Sequence, residues 1–245
     1  GAGSNSPVIY FLTSTDNIDN INLATNQNIP GYALFQNISD NKSLGWTLAS
    51  MPDPEAGSGS CLFFELNEMD HFGNSYTYFY IMKPQPDPPK PIPYLDLTYF
   101  SPDGSTSLST HTPSGFSLYA PDCTATEIGD FNKDGKPDIA IGCTGGSPIS
   151  IDNAPTIYVL YGGNKFKDSN PRTIVSNNEY GFAIVYRDET KINSTWKLGS
   201  AELDDGTPIL VAARPDENIF NYLNAGVVFL IYGGQSRSNI ELSKN

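Results

Sequence analysis

The chain of 245 residues carries 27 acidic against 14 basic side chains, a net charge of −13. A field of that sign repels phosphate backbones and anionic lipid surfaces, so nucleic acid is excluded as a natural partner. The longest apolar run, Val227 to Tyr232, falls far short of the ~20 residues that a membrane-spanning helix requires, and no direct membrane insertion is expected. The length suffices to bury the core of one large domain or two small ones.

Residues 1–4, Gly-Ala-Gly-Ser, read as a remnant of cloning outside the fold. No basic start with an apolar stretch follows them, and the expectation is that any export signal has been removed. From there the chain offers short runs of aromatic and β-branched residues closed by turn residues, the mark of buried strands. In chain order these are VIYFLTS from Val8, the more polar INLAT from Ile21, PGYALFQ from Pro30, CLFFEL from Cys61 and YTYFYIMK from Tyr76. TSLST from Thr106, SGFSLYA from Ser114, DIAIG from Asp138 and TIYVLYGG from Thr156 follow. The series ends with RTIVS from Arg172, YGFAIVY from Tyr180, ILVAA from Ile209, GVVFLIYGG from Gly226 and NIELS from Asn239. Trp46-Thr47-Leu48-Ala49-Ser50 is echoed by Trp196-Lys197-Leu198-Gly199-Ser200.

Tyr10, Phe79, Val159 and Leu230 taken as equivalent give a period of about seventy residues. Each unit holds about four strands, two apolar inner ones and a polar final one, which is what a propeller blade needs when its inner strands are covered on both faces. The expected fold is therefore all-β, a partial β-propeller of four-stranded antiparallel blades; a β-sandwich is the alternative. Residues 5–245 form one propeller portion: a half blade at 5–30, a blade at 31–114, a blade at 115–180 and a blade at 181–245. The proline-rich stretch 82–105 is a stiff insertion in the second of these. About three and a half blades are thus present where closed propellers have four to eight, so further blades of the same protein, or another chain, are expected to close the ring.

The stretch GDFNKDGKPDIAIG from Gly129 sets Asp130, Asn132, Asp134 and Asp138 at the first, third, fifth and ninth positions of a loop. Gly135 stands sixth and Lys136 seventh. Hard oxygen donors at alternate positions, a glycine for the sharp turn and a carbonyl from the seventh residue form a calcium-loop pattern. A helix-flanked version does not fit, because the twelfth position is Ile141 and both flanks read as strands. The expectation is one Ca²⁺ ion, structural, inside a β-hairpin, held by Asp130, Asn132, Asp134, the Lys136 carbonyl and Asp138. A plain polar turn is the other reading of such residues.

Cys123 and Cys143 flank this loop, and the sequence leaves open a disulfide between them or two buried thiols; Cys61 is the odd cysteine. Asn37, Asn41 and Asn193 stand in glycosylation sequons, in keeping with a secreted chain.

SGFSLYA, then GDFNKDGKPDIAIG, then TIYVLYGG resemble the FG-GAP repeat of integrin α-subunit propellers. The likeness is good over 115–163 and partial in the last unit, where Asp204-Asp205-Gly206 keeps only a remnant of the loop. It implies a calcium-stabilised propeller with the loop residues just named as ligands. It also implies an extracellular or cell-surface module that recognises a protein ligand in adhesion. A glycan-binding, lectin-like propeller is the alternative, suggested by 14 Tyr and 13 Phe. A polysaccharide-active enzyme comes third: His71 and His111 are the sole histidines, and no nucleophile, phosphate-loop or dinucleotide motif is present, so no catalysis is expected.

Overall fold

The computed structural model describes residues 123–144, 154–162, 178–187, 195–219, 222–234 and 238–242 in full, and seven earlier segments and Ser243 through their strand pairing. The strands are β1 (Val8–Leu12), β2 (Gly31–Phe35), β3 (Lys42–Pro52), β4 (Ser60–Met69), β5 (Ser75–Met82), β6 (Tyr94–Asp96), β7 (Ser114–Leu118) and β8 (Cys123–Glu127). They continue with β9 (Ile139–Cys143), β10 (Thr156–Leu160), β11 (Gly181–Arg187), β12 (Lys197–Glu202), β13 (Pro208–Arg214), β14 (Val227–Tyr232) and β15 (Ile240–Ser243). The described residues contain no helix, and the all-β reading stands.

Four sheets result. The first has the order β1-β2-β6, the second β3-β4-β5-β7, the third β8-β9-β10-β11-β15 and the fourth β12-β13-β14. In the second, third and fourth sheets, chain-order neighbours pair antiparallel, as short connections demand. Each of these sheets begins at an edge with its first strand, and β8 lies beside β3 and beside β12. The echoed runs therefore fall at edge strands of the second and fourth sheets, with Trp46 inside β3 and Trp196 immediately before β12.

The glycine–aromatic runs close sheets. Gly31 pairs opposite Leu12, Gly115 opposite Tyr80 and Gly181 opposite Leu160, and the aromatic that follows falls opposite Phe11, Phe79 and Val159. This register makes Phe11, one residue beyond Tyr10, the equivalent of Phe79. Gly181 is required by contact: an added Cβ would stand 2.1 Å from the Val159 carbonyl oxygen. The run NIELS, which the spacing places last in the final unit, lies parallel to β11 instead of beside β14, and the Asn239 side chain accepts the Ala183 amide at 2.7 Å. In the first sheet β6 lies parallel to β2 in the same manner.

Among the described residues, the main apolar cluster lies between the third and fourth sheets. Ile157, Val159, Phe182, Ile184 and Tyr186 of one meet Trp196, Leu210, Ala212 and Ile231 of the other, with Leu198 and Phe229 packed at the margin. Tyr186 and Trp196 meet edge to face at 6.1 Å, a favourable arrangement of the two ring quadrupoles. Gly142 makes room for this contact, since a Cβ there would lie 2.7 Å from that of Trp196. The opposite face of the third sheet, with Ile139, Ile141, Tyr158, Leu160, Ala183 and Val185, is buried just as fully. That is why β9 and β10 read as continuous apolar runs in place of alternating ones.

Arg214 at the end of β13 is buried between the Tyr186 and Trp196 rings, 5.1 and 5.2 Å from their centres, and its Nε donates to Glu217 Oε2 at 2.8 Å. This pair anchors the connection to β14, where Gly226 donates its amide to the Glu217 carbonyl at 2.9 Å.

Candidate functional site

The acidic loop joins β8 to β9 as a hairpin, and the backbone ladder continues past the strand ends: Ile128 donates to the Asp138 carbonyl at 3.0 Å and Asp138 to that of Gly129 at 2.7 Å. Cys123 and Cys143, directly opposite each other at the far end of the two strands, are joined by a disulfide. Three residues of the loop have positive φ, Gly129 at 68°, Lys133 at 63° and Gly135 at 87°. The two glycines adopt this conformation without steric cost, which accounts for their places in the motif.

Within the loop the side chains wind the backbone around themselves. Asp130 accepts the Asp134 amide at 2.8 Å through Oδ1 and the Gly135 amide at 2.8 Å through Oδ2. Asn132 Oδ1 accepts the Asp134 amide at 3.0 Å, while its Nδ2 donates to Asp134 Oδ2 at 2.9 Å. Asp134 Oδ1 accepts the Lys136 amide at 2.9 Å. Asp130, Asn132 and Lys136 are half-buried and Asp134 is exposed.

Asp138 differs from the rest, being fully buried. Its Oδ2 accepts the Asn132 amide at 3.0 Å and its Oδ1 the Gly162 amide at 2.7 Å, so one carboxylate ties the loop to the end of β10. Burial pushes its pKa up from 3.8 to about 7, the nearby Asp134 charge adds to this, and the amide donors oppose it. Between the acidic positions Phe131 turns inward, buried in the core and stacked on Phe182 at 6.2 Å between ring centres. Its carbonyl accepts the Gly234 amide at 2.7 Å, fastening the loop to the chain just after β14.

The donor set is that of a hard cation: three carboxylates, one amide oxygen and a backbone carbonyl, spaced on a loop with a tight glycine turn. In their present arrangement the carboxylates serve the loop amides, and among the described residues no three acidic, histidine or cysteine side chains converge on one point. The corresponding turn of the fourth sheet, between β12 and β13, has Gly206 at φ 77°, and Ile209 stands where the third sheet has Asp138. There Asp205 is exposed. Its carboxyl is held below the usual range by hydrogen bonding to Thr207, whose amide donates at 2.9 Å, with help from the Lys133 charge. A polar open cleft of about 670 Å³ separates the two turns, with Glu127, Asp130, Lys133 and Glu202 on its walls.

Asn37, Asn41, Asn193, His71, His111 and the polar runs from Ile21, Thr106 and Arg172 lie outside the described residues, as do residues 1–4 and most of the proline-rich stretch. Cys61 belongs to β4. The loop's two anchors, Phe131 and Gly162, were not singled out by the spacing of acidic residues. The repeated Tyr-Gly-Gly after β10 and β14 is the signal that marks Gly162. Comparison with protein-family models and with curated proteins finds no match.

Proposed function

We propose that this chain is a portion of a calcium-stabilised, FG-GAP-like β-propeller that acts outside the cell as a recognition module for protein ligands. The observation that carries the reading is the arrangement of the second, third and fourth sheets. They are successive antiparallel meanders, with β8 flanked by the neighbouring first strands β3 and β12. Further support comes from the oxygen-rich loop in the hairpin of the third sheet, the place where such a repeat holds its ion. The Cys123–Cys143 disulfide suits an oxidising compartment.

In this reading Asp130, Asn132, Asp134, the Lys136 carbonyl and Asp138 would hold the ion. Its charge would offset the mutual repulsion of three carboxylates and brace the hairpin. Recognition would fall to the connections between strands. Among the described ones, the segment after β13 offers Tyr222 and Leu223, 72% and 79% exposed, at the end of a turn held by the buried Arg214–Glu217 pair.

The ion is tested by calorimetric titration with CaCl₂ and by thermal melts with and without chelator. Saturable binding of one ion and a higher melting temperature in calcium are expected, both lost in Asp134→Ala. A melting temperature indifferent to chelator overturns the calcium reading. Ligand class is tested by capture of extracellular proteins against a glycan array; saturable sugar binding without protein capture overturns protein recognition.

A further inference from the structure

We infer that the β8–β9 loop is a conformational clasp between the third and fourth sheets, built so that order in its acidic turn and the seating of the fourth sheet are gained and lost together. The basis is that two equivalent chain endings converge on this loop. β10 and β14 both run into Tyr-Gly-Gly, at Tyr161-Gly162-Gly163 and Tyr232-Gly233-Gly234. The Gly162 amide donates to Asp138 Oδ1 at 2.7 Å, and the Gly234 amide donates to the Phe131 carbonyl at 2.7 Å.

The two contacts are joined by one peptide unit. The carbonyl of Phe131 and the amide of Asn132 lie in the same planar group, and that amide donates to Asp138 Oδ2 at 3.0 Å. A continuous relay therefore runs from the Gly234 amide through the Phe131–Asn132 peptide and the Asp138 carboxylate to the Gly162 amide. Because the peptide is planar, a tilt that breaks one of its bonds disturbs the other, and the members of such a chain polarise and strengthen one another. Phe131 is the positioning residue, its ring buried and stacked on Phe182 of β11 while its carbonyl serves the fourth sheet.

The clasp has no slack. A Cβ at Gly233 would stand 2.6 Å from the Phe131 carbonyl oxygen and 2.6 Å from Pro208 Cγ at the start of β13, and the Gly233 amide donates to the Pro208 carbonyl at 2.7 Å. On the loop side, Asp130 and Asn132 flank Phe131 and hold the turn by accepting the Asp134 and Gly135 amides. Loosening the turn thus tilts the peptide that Gly234 depends on, and lifting the end of β14 releases the same peptide from the other side. Coupling of this kind is reciprocal in free energy. The inference rests on these contacts and is independent of what the acidic loop holds.

The test is amide hydrogen exchange on the full chain in chelator, followed residue by residue by NMR for the unaltered chain, Asn132→Ala and Gly233→Ala. Asn132→Ala removes the two side-chain bonds to Asp134, and Gly233→Ala wedges the Phe131 carbonyl away while leaving the side chains of the turn in place. Asn132→Ala is expected to speed exchange at Gly233, Gly234 and the β13–β14 amides by about tenfold or more, and Gly233→Ala to do the same at Asp134 and Gly135, with β9–β11 little changed. In the unaltered chain the Asn132 and Gly234 amides are expected to share one dependence on urea, a reading that needs no variant to fold. Acceleration confined to the mutated side in either variant, or separate urea dependences for Asn132 and Gly234, overturns the inference. So does equal acceleration throughout β9, β10 and β11, which marks general destabilisation in place of a clasp.

Discussion

Asp138 joins two requirements that conflict. Its carboxylate is the acceptor that ties the loop to Gly162, yet it is fully buried and close to Asp134, so its charged form is disfavoured. With a folded pKa near 7 against an ordinary 3.8, the folded chain binds a proton between those values that the unfolded chain has released. Stability therefore falls as pH rises across that interval, by up to roughly 4 kcal/mol for the displacement from 3.8 to about 7. A bound cation favours the carboxylate and reverses the trend. Urea midpoints measured in chelator at pH 5 and pH 8 are expected to drop with pH, and Asp138→Asn to remove most of the drop; a midpoint that rises with pH contradicts this account. Asp138 was legible in the sequence as the last oxygen donor of the motif. Its burial was not, because that depends on how the loop folds against the chain after β10, whose Gly162 amide reaches it across 24 residues of sequence.

At the level of the strand, composition located most elements but not their neighbours. β4, β5, β9, β10, β13 and β14 are each visible as apolar or aromatic runs; in β9 and β10 the cause is burial on both faces, which leaves no polar side to interrupt the run. Whether Gly181–Arg187 opens one sheet or closes another is a matter of long-range pairing, and its residue pattern is the same in both cases. The parallel placement of β15 against β11 is likewise invisible to periodicity. The hairpin of β8 and β9 was legible because its loop is local, and the disulfide reinforces it. The bridge closes a segment of 20 residues, for which restriction of the unfolded chain amounts to roughly 3 kcal/mol. Replacing Cys123 and Cys143 together by alanine is expected to lower stability by about that amount while leaving the β8–β9 exchange pattern intact. A loss below about 0.5 kcal/mol would show that the hairpin is held by its ladder and by Phe131 instead.

At the scale of the molecule, β10 of the third sheet and β14 of the fourth carry matching apolar patterns, Ile157-Tyr158-Val159-Leu160-Tyr161 and Val228-Phe229-Leu230-Ile231-Tyr232, in two settings. The third is buried on both faces, and the fourth on the one that meets it. Ile157 and Val228 occupy equivalent places, so the difference between them isolates what a covering layer contributes. Removing Ile157 beyond Cβ leaves a cavity in a close-packed region, with a cost of roughly 2–5 kcal/mol. Val228 leaves no comparable void, because solvent already reaches it, and surface substitutions stay within about 0.5 kcal/mol. Chemical denaturation of Ile157→Ala and Val228→Ala is expected to separate them by this margin. Equal costs for the two variants in the free chain would mean that the outer face of β14 is covered in solution, and the fourth sheet would then be an inner layer of the assembly like the third.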